Sequence, residues 1–349
     1  STDNLNTLYT NTLRARSSTI DIMSIDIIYP AEFGSNQWAK PITDSQWPAS
    51  QRAQYLPGPV QGCTYQGQIY AAPFRTDVGL LYYRTDLVKT APTTFDELTN
   101  MAQQFAPQAK YGYVWQGAQY EGVVCDFVEV LYGYGGTILD PNDAKKVTVN
   151  SPEAQQALSE MVGWVGSISP SAVTTYQEED ARNIWDQGNS VFMRNWPYAY
   201  SLGNDPTQSK IAHKFDITTI PHAASQSTGH SCIGGWNLAI NAYSQHPDEA
   251  WEFVSYMLAP AQQKLAAITG TYTVTLQSVY SDPDVAQKQP LFTKLGDQLK
   301  NGKPRPVSPV YNDVSTAIQQ NVYAALKGQA KPADALNTLA SSLNHIVSQ

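Results

Sequence analysis

The sequence is poor in the residues that build metal centres and has no long apolar run. Its 349 residues include three cysteines, Cys63, Cys125 and Cys232, and five histidines, with no spacing typical of a metal site. We therefore predict no metal site and no dense disulfide framework, although one disulfide bridge is possible. No apolar run reaches the roughly eighteen residues of a membrane-spanning helix, and no signal-peptide pattern is present at the N-terminus.

Charge is also scarce, and its balance is negative. Only 15% of the residues are charged, the formal net charge is -8, and Lys and Arg form no dense run. Nucleic acid and anionic membrane surfaces are therefore not expected as partners. In contrast, the chain has 21 Tyr and 8 Trp, a composition that favours a neutral polar ligand. Its length exceeds what one core usually organises and predicts two domains.

Motifs for nucleotide binding and for serine hydrolysis are missing. The sequence has no P-loop, and residues 133–136 do not form the glycine pattern of a dinucleotide site. Residues 229–234 resemble a nucleophile elbow, but Ile233 stands where that motif requires glycine. We therefore predict no cofactor.

Strand and helix patterns alternate along the chain. A buried strand is predicted within Ile20–Tyr29, and a hairpin is predicted about Gln66–Gln68. Thr94 and Glu97 form a capping box, and Ser151 followed by proline is a typical helix start. The alternation predicts an α/β fold.

Two segments set a large aromatic residue beside hydrogen-bonding groups. Residues 193–198 contain Trp196 and Tyr198, and Gly234 and Gly235 precede Trp236, so that backbone can approach a ligand closely there. A sugar offers an apolar C–H face for stacking and a rim of hydroxyls for polar groups. Either tryptophan taken alone is more typical of a core residue beside a turn, so the prediction of a sugar site depends on further segments.

Carboxylates stand at the boundaries of predicted elements. Asp26 lies inside the apolar run Ile20–Tyr29, where its burial is costly unless something pairs with it. It either faces a cleft at the strand's C-terminal end, which we favour, or is held by a structural arginine. Asp77 precedes a strand and is also compatible with a turn cap. Tyr120 and Glu121 follow Trp115 in an aromatic loop with sugar-binding chemistry, although Trp115 itself is more typical of a core residue.

The same carboxylates leave an alternative open. Asp26, Asp77 and Glu121 could supply the acid and the nucleophile or base of a glycoside hydrolase, and the sequence does not give their separation. Arg305 lies in a segment that its flanking prolines keep extended, with no local acid to pair with. We therefore predict that Arg305 reaches a ligand.

Several multi-residue motifs resemble those of the extracellular sugar-binding proteins of bacterial ABC importers, most closely the trehalose/maltose-binding branch. They follow one another over essentially the whole chain. The motifs are Asp26 with Ala31–Phe33, Phe74–Arg84, Val114–Gly122, Met193–Tyr198 and Gly234–Trp236.

This resemblance implies a two-lobed periplasmic-binding-protein fold of type II, with a ligand cleft between the lobes and strand crossovers as the hinge. The first lobe would comprise residues 1–81 and 236–279, and the second residues 82–235 and 280–349. Family members normally begin with a further strand and helix, and the sequence starts after them. The first lobe is therefore expected to lack both.

The function implied is that of a transport receptor without catalytic activity. It would capture a neutral disaccharide or short oligosaccharide of the trehalose or maltose type by hinge closure and deliver it to a membrane permease. The resemblance also implies a monomer located outside the cytoplasm, either in the periplasm or held on the membrane by a lipid anchor.

The resemblance also implies roles for individual residues. Asp26 and Asp77 would hold sugar hydroxyls from the first lobe, and Trp196 would stack on a sugar ring from the second. The return crossover would supply Gly235 and Trp236. The remaining candidates are Arg305, which matches the family's late arginine, and Glu121, Tyr120 and Tyr198.

Overall fold

The computed structural model describes residues 2–141, 143–270 and 272–348, and its contacts divide the chain into two compact units. Unit 1 comprises Ser1–Asp77, Ile233–Gly296 and Pro306–Tyr311, and unit 2 comprises Val78–Cys232, Asp297–Arg305 and Asn312–Gln349. The chain thus passes from unit 1 to unit 2 after Asp77 and returns after Cys232. Both units combine strands and helices, as the α/β prediction requires.

The strands are short, and most of their length is buried. They are β1 (Ile22–Asp26), β2 (Thr64–Tyr65), β3 (Gln68–Ile69), β4 (Ala72–Val78), β5 (Leu80–Arg84), β6 (Tyr111–Val114), β7 (Leu139–Asp140), β8 (Asp143–Val147), β9 (Ser190–Asn195), β10 (Phe215–Thr218) and β11 (Ile233–Ile240).

The helices account for much of the remaining chain. They are α1 (Thr2–Arg14), α2 (Pro30–Ser35), α3 (Ala49–Arg52), α4 (Pro57–Gly62), α5 (Phe95–Ala109), α6 (Glu121–Gly133), α7 (Pro152–Trp164), α8 (Glu178–Asp186), α9 (Tyr198–Gly203), α10 (Pro247–Leu258), α11 (Pro260–Gly270), α12 (Pro283–Lys288), α13 (Gly296–Lys300), α14 (Tyr311–Leu326) and α15 (Pro332–Val347). Short 3₁₀ turns cover Ser171–Thr175, Gln277–Ser281 and Pro290–Lys294. Among the described residues, no helix combines the length and apolar character needed to cross a membrane.

Unit 1 is built on a three-stranded sheet in the order β1, β11, β4. β1 and β11 are antiparallel, with Ile22 opposite Ile240 and Asp26 opposite Trp236. Met23 and Ile25 of β1 point into the core of this unit, where they pack with residues of α2 and α10. The sheet therefore presents Asp26 and Trp236 at the same end, beside each other.

Unit 2 contains a four-stranded sheet in the order β10, β5, β9, β6. β5 is antiparallel to β9, whereas β6 is parallel to it, which requires the long crossover that α6, α7 and α8 provide. Every residue of α6 is buried, including Glu121, Asp126 and Glu129. Because isolated buried carboxylates are costly, this helix needs cationic partners from elsewhere in the unit.

Local sequence signals predicted several element boundaries correctly. Thr94 caps α5 in a reciprocal box with Glu97, and the Ser151 side chain accepts a hydrogen bond from the Ala154 N–H at the start of α7. The predicted hairpin about residues 66–68 joins β2 and β3. The predicted strand 20–29 is longer than β1, because the chain turns after Asp26 and enters α2 at Pro30.

The observed units differ from the predicted lobes mainly near the C-terminus. Residues 280–296 and 306–311 belong to unit 1, whereas the prediction places them in the second lobe. The physical reason is that α12 contacts α11, with the Lys264 Nζ atom 2.8 Å from the Asp282 carboxylate and 2.7 Å from the Asp284 carboxylate. These exposed pairs contribute little, and the segment is held against unit 1 mainly by Val285 and Phe292, which are buried in its core.

Candidate functional site

In unit 1, Asp26, Gly235 and Trp236 lie next to one another. Asp26 is the last residue of β1 and only 8% exposed, and its Oδ1 atom accepts a hydrogen bond of 3.3 Å from the Ile28 N–H. The next backbone N–H, that of Ile27, donates to the Gly235 carbonyl at 3.0 Å. Trp236 is half-buried. A carboxylate and an indole are thus held side by side by strand register.

Asp77 belongs to the same group. Its Oδ1 atom accepts a hydrogen bond of 3.0 Å from the Thr273 hydroxyl, so the alternative of a local turn cap does not apply. Burial raises the pKa of Asp77, while Arg75 and the Thr273 hydrogen bond act in the opposite direction and the Asp26 carboxylate adds to the rise. The two acids are therefore close enough to interact electrostatically.

Gly235 is required by the packing of β11 against β4. Its φ is 148°, and a Cβ atom there would lie 2.5 Å from the Arg75 carbonyl oxygen and 3.1 Å from the Thr76 Cα atom. The sequence suggested that this glycine lets backbone approach a ligand. In the structure, it first lets the neighbouring strand approach, and it thereby places Trp236 beside Arg75.

Arg75 is a candidate that the sequence analysis did not single out. Its guanidinium carbon lies 5.5 Å from the ring centroid of Trp236 and 4.6 Å from that of Tyr272, both favourable cation–π distances. Its Nε atom is buried and makes no hydrogen bond to the described residues. A buried donor among aromatic rings and next to Asp77 is suited to a ligand hydroxyl.

In unit 2, Glu178 joins two predicted site residues. Its carboxylate accepts a hydrogen bond of 2.7 Å from the Tyr120 hydroxyl and one of 3.3 Å from the Trp196 indole N–H. Its backbone carbonyl accepts a hydrogen bond of 3.1 Å from the Asn195 side-chain amide. Burial and Glu178 together raise the pKa of Tyr120, so the phenol stays protonated and donates. One acidic residue, absent from the predicted site, thus orients both aromatic rings.

Trp196 also rests on a cation. The Arg194 guanidinium carbon lies 4.0 Å from the Trp196 ring centroid. Arg194 is buried, and it pairs with Asp126 at 2.9 Å and with Glu129 at 2.7 Å on α6. Burial raises the pKa of Asp126 well above its usual range, against the opposing effect of Arg194. Arg194 therefore compensates the negative charge of two buried carboxylates of α6 and also contacts the Trp196 ring.

Tyr198 lies two residues further, at the start of α9. Its hydroxyl donates a hydrogen bond of 2.6 Å to Glu179, which also pairs with Arg182. Burial and this hydrogen bond raise the pKa of Tyr198. Glu178 thus binds Tyr120 and Trp196, and the adjacent Glu179 binds Tyr198. The three aromatic candidates of unit 2 are therefore held by neighbouring carboxylates at the start of α8.

Glu121 and Arg305 form a buried ion pair. The Arg305 Nη1 atom lies 2.7 Å from the Glu121 Oε1 atom, with side-chain exposures of 2% and 6% respectively. The Ser315 hydroxyl donates to the other carboxylate oxygen of Glu121, and Gln319 donates to Ser315 at 2.9 Å. These contacts satisfy the buried acid at the start of α6.

Arg305 thus has a buried acidic partner, and its contact with a ligand stays a prediction. Arg305 has no acid nearby in sequence, but the fold supplies Glu121 from 184 positions away. A ligand role for either residue now depends on the family resemblance alone. Trp115, by contrast, is a core residue as expected, with 1% exposure and an indole N–H that donates to Ser169 at 3.0 Å.

The described residues contain no cluster of His, Cys, Asp or Glu that could hold a metal ion. What they present instead is carboxylates, amides and hydroxyls beside indole and phenol rings, once in each unit. This chemistry suits polar neutral molecules with hydroxyl groups.

Comparison with known proteins identifies the family. Residues 1–264 match the family model of the bacterial extracellular solute-binding proteins. The chain belongs to this family. A probable ABC transporter-binding protein of Deinococcus radiodurans is 40% identical over 97% of the chain and 83% of its own length. The predicted family and the location outside the cytoplasm are thereby confirmed.

Solved structures extend the comparison of this solute-binding protein to its fold. The maltose-bound MalE3 of T. maritima is 38% identical, with a TM-score of 0.92 over 99% of this chain and 89% of the other. Among relatives known by sequence, a mannitol-binding protein of Pseudomonas aeruginosa is 25% identical over 93% of this chain and 82% of its own length. The predicted two-lobed α/β fold of the solute-binding protein is confirmed.

Proposed function

We propose that this solute-binding protein is the receptor of an ABC importer for a neutral disaccharide or short oligosaccharide of the maltose or trehalose type. The observation that carries the proposal is the repetition of one chemistry in both units. Asp26 and Asp77 accompany Trp236 in unit 1, and Glu178 accompanies Tyr120 and Trp196 in unit 2. The maltose-bound relative supports the ligand class.

Each group offers complementary contacts to a sugar. The indole rings provide apolar faces for the sugar C–H groups, while the carboxylates and the Arg75 Nε atom provide acceptors and a donor for hydroxyls. The family resemblance supports the proposal that the lobes close on the sugar. Contacts made only in the closed state would shift the population toward it.

Binding without catalysis is part of the proposal. The relatives are named as binding proteins, and a receptor should return its sugar unaltered, whereas a glycoside hydrolase would release products. We also propose that the protein acts as a monomer and that a membrane permease receives the sugar.

A thermal-unfolding screen tests the ligand class. Maltose, trehalose, maltotriose and mannitol are each added at about 1 mM, and the sugar is recovered and analysed by chromatography. A ligand with a dissociation constant of about 1 μM adds about 4 kcal/mol to stability, which shifts the melting temperature by several degrees. A shift with intact sugar supports the receptor, cleaved sugar supports the hydrolase, and no shift with any sugar contradicts the proposed ligand class.

The variant Trp196→Ala tests the site. Loss of the stacking surface should weaken binding at least about tenfold, or about 1.4 kcal/mol, in a calorimetric titration. Tyr256→Ala is a matched control, because Tyr256 is a 57% exposed aromatic residue on α10 and outside both groups. Equal affinity of the Trp196 variant and the control would remove Trp196 from the site.

A further inference from the structure

Two of the three cysteines meet inside unit 2, and neither belongs to the proposed sugar site. Cys125 lies on α6 and is 2% exposed, and Cys232 is fully buried as the last residue of unit 2 before β11. The third cysteine, Cys63, is buried in unit 1.

Backbone contacts hold Cys232 against the face of α6 that carries Cys125. Glu129 lies one helical turn after Cys125, on the same side of the helix, and its carboxylate accepts a hydrogen bond of 2.9 Å from the Cys232 N–H. The Cys232 carbonyl accepts one of 3.1 Å from the Gly79 N–H, and the preceding carbonyl accepts one of 2.8 Å from the Lys303 N–H. In the structure both cysteines are free, buried thiols, and they are close enough for Cys232 to influence the pKa of Cys125.

The environment of the pair determines when it can react. The hydrogen bond with Cys232 and burial raise the pKa of Cys125 well above its usual range, so the folded thiol is a poor nucleophile. Because Cys125 and Cys232 are 2% and 0% exposed, an oxidant does not reach them in the folded unit, and we expect oxidation before unit 2 closes around the pair. The protein belongs to an extracellular family, and disulfides form and persist in oxidising extracytoplasmic compartments.

We propose that Cys125 and Cys232 become joined by a disulfide when the chain folds outside the cytoplasm. The oxidant is a protein or small-molecule disulfide. One cysteine thiolate attacks a sulfur of the oxidant, giving a mixed disulfide and one released thiol. The second cysteine thiolate then attacks the protein sulfur of the mixed disulfide and releases the second thiol. Two electrons and two protons pass from the cysteines to the oxidant.

The bridge acts on unit 2 rather than on the sugar. It closes the loop between residues 125 and 232 and connects α6 covalently to the last residue before β11. A disulfide that closes a loop of roughly a hundred residues is expected to stabilise strongly, because a long loop loses more conformational entropy in the unfolded chain than a short one. We therefore expect reduction to lower the melting temperature by at least about 5 °C.

Thiol counting tests the proposal without any variant. The full chain is secreted to the periplasm of a bacterial host, unfolded in denaturant without reductant, alkylated and weighed by mass spectrometry. We expect one alkylated thiol, that of Cys63, and three after reduction, together with a linked Cys125–Cys232 peptide in an unreduced digest. Three alkylated thiols without reductant, or a linkage that includes Cys63, would overturn the proposal.

Single-cysteine variants provide the control for stability. In Cys63→Ser, reductant should still lower the melting temperature by at least about 5 °C, whereas in Cys125→Ser it should leave the melting temperature unchanged. The same melting temperature for the wild-type protein with and without reductant would contradict a stabilising bridge.

Discussion

Replacement of Arg305 separates the two roles that sequence and structure give to this residue. The resemblance implies a contact between Arg305 and the sugar, whereas the structure buries its guanidinium 2.7 Å from Glu121. In Arg305→Met, the side chain keeps a similar apolar volume and loses its charge. Glu121 then remains in the interior with its bond from Ser315 but without its cation.

The expected loss of stability follows from this geometry. Removal of one partner from a buried ion pair typically costs about 3–5 kcal/mol, because the other charge stays uncompensated. The remaining Ser315 hydrogen bond places the expected loss near the lower end, about 3 kcal/mol. For a unit of this size, each kcal/mol shifts the melting temperature by about 2–4 °C, so we expect a decrease of about 6–12 °C.

The assay is thermal unfolding without sugar, followed by calorimetric titration of sugar at a temperature at which the variant is folded. Arg14→Met is the matched control, because Arg14 is exposed at the end of α1, and it should shift the melting temperature by less than about 2 °C. In the double variant Glu121→Gln/Arg305→Met, the lost stability should recover in part, with a coupling energy of about 1–3 kcal/mol. Unchanged stability of Arg305→Met together with a tenfold or greater loss of sugar affinity would refute the structural role and favour the ligand contact.

Further predictions concern the two proposed groups. Glu178→Gln should weaken sugar binding about 5-fold or more in a titration, because Trp196 loses a charged acceptor, and unchanged affinity would contradict its orienting role. Burial raises the pKa of Asp77 in the folded state above its unfolded value near 4. The folded state therefore loses stability as the pH rises from the unfolded pKa to the higher folded pKa. Asp77→Asn should therefore be more stable than the wild type at pH 7, and the difference in stability should shrink toward pH 4. Its sugar affinity should fall. The opposite pH trend in denaturant titrations would refute this prediction. Gly235→Ala should cost about 1–3 kcal/mol in denaturant unfolding, because its Cβ atom would meet the Arg75 carbonyl, and a smaller loss would contradict the close strand contact.

In unit 2, the stability of the fold and the proposed sugar contact depend on the same buried charges. α6 is apolar enough to pack on all sides, yet it carries acids that need Arg194 and Arg305. Arg194 also lies beneath the ring of Trp196. A substitution that removes this cation should therefore affect both unfolding and sugar binding, unlike a substitution of Trp196 alone.

The sequence by itself determined the features that depend on neighbouring residues. The capping box of Thr94 and the N-cap Ser151 set the starts of α5 and α7, because each cap and the backbone N–H it binds lie within three residues of each other. The acidic composition gave no reason to expect nucleic-acid partners, and the ordered motifs identified the family. Asp26 could be named as a site candidate because it is an acid within an apolar run, and Trp236 because it follows two glycines, although their contact with a sugar stays a prediction.

Only the tertiary structure decided which distant side chains meet. Arg305 lacked a partner in sequence because Glu121 lies 184 positions away, and no local pattern predicts that encounter. The bridge from Glu178 to Tyr120 and Trp196 likewise joins separate segments. A buried charge needs a partner of opposite charge or a hydrogen bond. Which partner it meets depends on which helices and strands the fold brings together. Local sequence thus determined several helix starts and the hairpin, and long-range packing determined which charged residues are paired in the interior.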